Sequence, residues 1–216
     1  MYEALENPGN CPFCALQHKL EENAVQSLMG PSVAYMEDSV RLAINKSGFC
    51  AAHFKKLHGA KNRLGLALML HTHIMEINRE MGRLKPKALP EFLEKISKSC
   101  YLCDLLQGSF PRYVDTFLSL FVGDEGLRNK LRDAGGFCLP HFEEAVRAGT
   151  KKLFGQNLRL FYEIMLEQQK GCMDELEADL DWFVKKFDYR YREEPWKDSK
   201  DAIERAIYRI SSTNLE

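Results

Sequence analysis

The sequence predicts an all-α protein: two tandem helical repeats, each with a Cys3His metal site and a long amphipathic helix, followed by a C-terminal strap and helix. Three observations carry this. A GFCxxHF heptapeptide stands at Gly48–Phe54 and again at Gly136–Phe142, and each copy follows a CxxC pair, Cys11/Cys14 and Cys100/Cys103. Apolar residues recur at steps of three and four over long windows, which is the helical period. No alternating run closed by an Asn-Gly or Asp-Gly turn reads as a strand. The duplication divides the chain into a first repeat at 1–86, a second at 87–187, and a C-terminal addition at 188–216.

The elements follow in order. Asn7-Pro8-Gly9-Asn10 is a turn cluster. Cys11-Pro-Phe-Cys14 opens a helix to about Met29 with Leu16, Leu20, Ala24, Val25 and Leu28 on one stripe, and Gly30-Pro31-Ser32 stops it. A second helix over Val33 to Lys46 ends at Ser47-Gly48 and delivers Cys50. One long amphipathic helix is then expected from Ala51 to Arg83, its stripe running from Phe54 and Leu57 through Leu64, His71 and Ile74 to Met81. Lys85–Pro90 is the linker between the copies. A short helix (Glu91 to Lys98) precedes Cys100-Tyr-Leu-Cys103, which leads another, and Gly123-Asp124 starts the next. Gly135-Gly136 ends that one as a C-cap does. Leu139-Pro140-His141 begins the second long helix, where Pro is tolerated because a first-turn N–H has no partner. Its stripe reaches Phe187, with Gly155 and Gly171 as places to break or bend. Asp188–Trp196 has no helical period and reads as a strap packing its aromatics. A last helix spans Lys197 to Ser211, with Ala202, Ile203, Ala206, Ile207 and Ile210 expected inward.

Composition narrows the function classes. The 216 residues are 45% hydrophobic and 28% charged, a soluble globular balance. A formal net charge of -1 supplies no basic field to recruit nucleic acid. No apolar run approaches the roughly 18 residues that span a bilayer. Met1–Glu6 offers neither a basic nor an apolar region of an export signal, so the expected address is the cytoplasm. Seven cysteines in such a chain are metal ligands or redox groups before they are a disulfide framework.

Three thiols and one imidazole at matched spacing are the donor set of structural zinc. A cysteine and a histidine three apart in a first helical turn share one face, and the helix N-terminus favours thiolate over thiol. The simplest pairing groups Cys11, Cys14, Cys50 and His53 in one site and Cys100, Cys103, Cys138 and His141 in the other, with two zinc ions in all. A crossed pairing, the CxxC of one repeat with the CxxH of the other, satisfies the same chemistry. An iron–sulfur cluster is the alternative cofactor, although its ligands more often come in C-x2-C-x2-C runs. Thiol–disulfide exchange leaves both histidines unexplained, and Ala15 and Asp104 after the pairs rule out a CxxCH haem site. Of the remaining residues, Cys172 reads as a buried inert thiol, His71 as a core histidine and His73 as a surface one. His18 and His58 read as exposed.

The set Cys11–Cys14, Gly48–His53, Cys100–Cys103, Gly136–His141, Asp188-Tyr189-Arg190 and Glu194-Pro195-Trp196 resembles a bacterial, zinc-ribbon-like helical family of unknown function with duplicated CxxC and GFCxxH motifs. The resemblance covers nearly the whole chain, implies a bacterial or archaeal cytoplasmic protein, and transfers no catalytic residue. The leading expectation is a zinc-stabilised scaffold or interaction module that binds a protein or a small ligand. An enzyme using Tyr189, Arg190, Glu194 and Trp196 is the rival, and a thiolate-based metal or redox sensor is the third class.

Overall fold

The structure is a computed structural model that describes residues 1–6 and 10–214; the turn expected at Asn7–Asn10 lies, apart from Asn10, outside the described residues. Eleven α-helices and no strand occur among the described residues: α1 (Tyr2–Leu5), α2 (Pro12–Met29), α3 (Asp38–Ser47), α4 (Ala51–Gly59), α5 (Arg63–Arg83), α6 (Leu89–Lys98), α7 (Tyr101–Gly123), α8 (Glu125–Arg132), α9 (Leu139–Lys152), α10 (Gly155–Lys185) and α11 (Ala202–Ser211). Short 3-10 turns at Ala34–Met36, Pro86–Ala88, Tyr189–Tyr191 and Lys197–Ser199 connect them.

The all-α class holds, but neither long helix is continuous. The first breaks between α4 and α5, where Lys61 takes a positive φ of 63°. Asn62 then caps α5, its side chain accepting from the Gly65 N–H at 2.9 Å and donating to the Met29 carbonyl at 3.0 Å. The second breaks before Gly155, at φ 56°, whereas Gly171 is absorbed inside α10. Pro111 likewise lies within α7.

The chain folds as two compact units that do not follow the duplication. One is the continuous segment 17–111; the other joins 1–16 to 112–216. The boundaries 1–86, 87–187 and 188–216 that the repeats imply are therefore not those of the compact units, because each unit takes its CxxC and its CxxH from opposite halves of the sequence.

In the continuous unit, Leu28, Met29, Tyr35, Ile44, Phe49, Leu57, Leu66 and Met69 form the core with Cys100 and Leu102. In the discontinuous unit, Phe13, Phe117 and Phe137 meet edge to face at centroid separations of 5.2 to 6.2 Å, and Phe121 meets Phe161 in the same way at 5.2 Å. Edge-to-face pairs place positive ring edges on negative faces and add about 0.5–1.5 kcal/mol each beyond their buried area.

The tail differs from expectation. Lys186, not an aromatic, anchors the strap: it is buried and its ammonium donates to the carbonyls of Tyr191 (2.7 Å), Arg192 (2.8 Å) and Glu194. Trp196 packs on Phe183 and Phe187, yet Phe187 and Tyr189 are 77% and 86% exposed. On α11 only Ala202 is fully buried; Ile203, Ile207 and Ile210, expected inward, are exposed. Tyr208 takes the inward-facing role that periodicity assigned to them.

Candidate metal centres

All four motif arms are built alike. Cys50 and Cys138 stand at the N-cap positions of α4 and α9 with extended backbone, and His53 and His141 fall in the first turn. Cys11 and Cys100 precede α2 and α7, their carbonyls accepting the N–H of Ala15 and Asp104 at 3.0 Å, so Cys14 and Cys103 also lie in a first turn. A residue just before a helix and one three positions later face the same way. Each centre is thus the meeting of two helix N-termini, whose free N–H groups and dipoles stabilise anionic sulfur.

Which arms meet is the main structural finding. Cys11, Cys14, Cys138 and His141 converge in the discontinuous unit, and Cys50, His53, Cys100 and Cys103 in the continuous one, with donor atoms within 4.8 Å of one another in each. All eight predicted residues are brought together. The pairing is crossed: each CxxC sits with the CxxH of the other repeat, not with its own as the simplest reading had it.

The separations test the fit to one small ion. An ideal tetrahedron with Zn–S of about 2.3 Å and Zn–N of about 2.0 Å has S···S edges of about 3.8 Å and S···N edges of about 3.5 Å. The first centre has Cys14 Sγ–Cys138 Sγ at 3.7 Å, and His141 Nδ1 at 3.5, 3.2 and 3.2 Å from the sulfurs of Cys11, Cys14 and Cys138. The second has Cys50 Sγ–Cys103 Sγ at 3.9 Å, and His53 Nδ1 at 3.3, 3.1 and 3.5 Å from Cys50, Cys100 and Cys103. Every value lies near a tetrahedral edge and far from the roughly 2.05 Å of a disulfide; all seven cysteines are free. The same nitrogen, Nδ1, faces the sulfurs in both centres. The donor set fits a divalent cation.

The proton balance among these donors points the same way. In the first, hydrogen bonds from Cys138 and Cys14 hold the Cys11 thiol well below its ordinary pKa, while the Cys11 thiolate pushes Cys14 well above. Burial opposes a charge on His141, but the neighbouring Cys11 and Cys138 sulfurs raise it to about 9. In the second, burial works against Cys50, and the His53 and Ala52 N–H groups with the adjacent thiols nonetheless lower it; burial and the Cys100 sulfur push Cys103 up to about 12. Three thiols this close cannot all ionise together, so protons occupy places that a cation takes over.

The loops that aim the arms need their glycines. Gly48 has φ 60° and ψ −149°, a region essentially confined to glycine. A Cβ there would lie 2.5 Å from His73 Nε2. His73 is buried and donates from Nδ1 to the Asn45 carbonyl at 2.8 Å, whereas His71 is exposed, the reverse of the expected assignment. The Gly48 carbonyl accepts the Tyr101 N–H at 2.9 Å and Ser99 Oγ donates to the Ser47 carbonyl at 2.8 Å, tying the two arms of the second centre together. At the first centre Pro12 occupies the place of Tyr101 and has no N–H to give. There Gln169 clamps the Phe137 backbone through both its N–H and its carbonyl, each at 2.9 Å, and Gly136 (φ 83°) lies against Cys172. Cys172 is half-buried, not enclosed.

Two neighbours escaped sequence reasoning. Glu21 Oε1 lies 3.0 Å from His53 Nε2, although off the ideal N–H direction, and its other oxygen pairs with Lys56 at 2.5 Å. A carboxylate behind the outer nitrogen fixes the orientation of a ligating imidazole. The Tyr208 hydroxyl accepts the Cys11 N–H at 3.0 Å, with burial and the nearby Cys14 sulfur together raising the tyrosine pKa. No spacing rule links Glu21 to His53 or Tyr208 to Cys11, so neither had a signal in the sequence. His18 and His58 are exposed, as expected.

No helix among the described residues is long and apolar enough to cross a membrane. Neither curated proteins nor solved structures yield a match to this chain. A family model does, over residues 1–216, and the chain belongs to the family it describes, a family of unknown function (DUF6062).

Proposed function

We propose that the two cages are structural zinc sites and that the protein is a zinc-stabilised helical scaffold or interaction module. The observation that carries this is the pair of closed Cys3His cages whose edges match a tetrahedral ion, each formed by two helix N-termini. Four protein donors leave no open coordination position, the mark of a structural site and not of a catalytic one. Zinc fits better than an iron–sulfur cluster because donors within 4.8 Å of one another embrace one ion, whereas a cluster spreads its cysteines over several irons.

The scaffold reading is supported by apolar residues that the fold leaves outward. On α5, Leu64, Ile74 and Met75 are 71%, 52% and 57% exposed at helical spacing with Ala67 and His71, the kind of patch that meets a partner. Of the four residues suspected under the enzyme reading, three help to hold the strap, Arg190 pairing with Asp188 at 2.6 Å, the Glu194 carbonyl receiving Lys186 and Trp196 packing on Phe183, while Tyr189 is exposed. Elemental analysis of the purified chain tests the proposal. Two equivalents of zinc are expected; iron, or no metal, refutes it.

A further inference from the structure

The two cages arise from one duplicated motif set, but their surroundings differ. At the first centre Cys11 and Cys138 are both 0% exposed and His141 is buried; Cys14 alone is half-buried, and the Tyr208 hydroxyl accepts the backbone N–H of Cys11 at 3.0 Å. Aromatic rings wall this centre: Phe13 stands edge to face on His141 at 5.9 Å and on Phe137 at 5.2 Å, with both phenylalanines fully buried. The closing hydroxyl comes from α11, in the C-terminal addition that the duplication did not copy.

At the second centre two ligands, one from each arm, are half-buried: Cys50 before α4 and Cys103 on α7. Their sulfurs stand 3.9 Å apart, so the two half-buried residues share one edge of that tetrahedron. Glu21 and Lys56, which back His53, also line a surface cleft of about 550 Å³ with His18, Lys19, Glu22 and Gln26, so the histidine's support is solvent-facing as well.

We infer that the Cys50–His53–Cys100–Cys103 centre holds an exchangeable zinc, reachable by small chelating or thiol-bearing molecules along the Cys50–Cys103 edge, while the Cys11–Cys14–Cys138–His141 centre holds a permanent one. This rests on the zinc reading above. The physical reason is that zinc leaves a thiolate cage by associative substitution: an incoming donor must reach the metal before a cysteine departs. An edge with two half-buried sulfurs admits that donor, and a cage covered by a tyrosine and buried phenylalanines does not. The step moves no electrons; each departing thiolate takes up a proton from water as the incoming donor replaces it. Of the sensor and scaffold readings, this gives the sensing role one address and the scaffolding role the other.

The test uses the full-length, zinc-loaded chain challenged with a chromogenic pyridylazo chelator. Two phases of one equivalent each are expected, separated by at least about tenfold in rate, the scale on which outer-shell partners alter metal sites. Limited alkylation of the same loaded protein with N-ethylmaleimide, read by mass spectrometry, should mark Cys50 and Cys103 before Cys11 and Cys138. Cys50→Ser should abolish the fast phase and leave the slow one. Tyr208→Phe, which keeps the ring and removes only the hydroxyl, should accelerate the slow phase and leave the fast one unchanged. Two equivalents released at one rate, or alkylation beginning at Cys11 or Cys138, overturns this inference and leaves the zinc reading standing. A chain that carries no zinc and cannot be loaded with two equivalents overturns both.

Discussion

Replacing Gly48 by alanine tests how the second centre is aimed. Alanine must adopt φ 60° and ψ −149°, at a cost of about 1–3 kcal/mol. Its Cβ would also sit 2.5 Å from His73 Nε2 and 2.9 Å from Cε1. The ring cannot turn aside freely, because it is buried and holds the Asn45 carbonyl at 2.8 Å. Giving up that bond costs about 0.5–1.5 kcal/mol, and forcing the overlap costs about 1–3. The sum is about 2.5–7.5 kcal/mol, a large share of the roughly 5–15 that stabilises a domain. Because the Gly48 carbonyl also receives the Tyr101 N–H, the displacement reaches Cys100 and Cys103. The assay is thermal unfolding with simultaneous zinc release. At about 4–8 °C per kcal/mol for a unit of this size, G48A should lower the transition of the continuous unit by at least 10 °C, with zinc released earlier from one site only. Gly82→Ala, in the last turn of α5, is the control: its Cβ would meet nothing within 4 Å, and alanine there should leave stability unchanged or raise it by less than about 1 kcal/mol. If G48A melts as the wild type does, the glycine is not what positions this cage.

Further outcomes follow from the same contacts. Glu21→Gln should weaken zinc at the Cys50 centre by about 10–100-fold while leaving the other unchanged, since Glu21 stands behind His53; chelator competition measures this. Lys186→Met strands three carbonyls that now share a buried ammonium, and should cost about 3 kcal/mol in urea denaturation; a loss under about 1 kcal/mol would contradict the anchoring role. Zinc affinity should rise with pH near neutrality. Cys14 and Cys103 carry raised pKa values and hold their protons in the bare cages, so each site releases at least one proton on binding, and affinity gains about tenfold per pH unit per proton. Calorimetry in buffers of different ionisation enthalpy reads that number, and a release of none would refute the assignment of those thiols as ligands.

The helical class and the eight donors could be read from the chain because their signals are local. Periodicity, a turn glycine and a cysteine before a first turn depend on neighbours in sequence. What escaped depends on distance. The expected stripe carried Leu57 on through Leu64 and Ile74, but after the α4–α5 break those two are exposed and Leu66 and Met69 take the inward face, so a periodic count that ran across Lys61 set the wrong phase for α5. Asn62 was the one available clue, a capping residue in the middle of a helical pattern. The inversion of His71 and His73 arose in the same way: which of two histidines on opposite faces turns inward depends on the Gly48 loop packed against one of them. The expected inward set on α11 failed because Tyr208 is drawn to Cys11, which turns Ile203, Ile207 and Ile210 outward. The crossing of the arms had no local signal. All four arms present the same helix N-terminus, and only the tertiary ties, Tyr101 to Gly48 and Tyr208 to Cys11, select partners.

The crossed pairing is tested most directly by zinc stoichiometry in two double variants of the full chain. Cys11→Ser with Cys138→Ser removes two ligands of one cage and should leave one equivalent, held at Cys50, His53, Cys100 and Cys103. Cys100→Ser with Cys138→Ser damages both cages and should leave none. The opposite result, none in the first and one in the second, would show that each repeat closes its own site and would contradict the architecture described above.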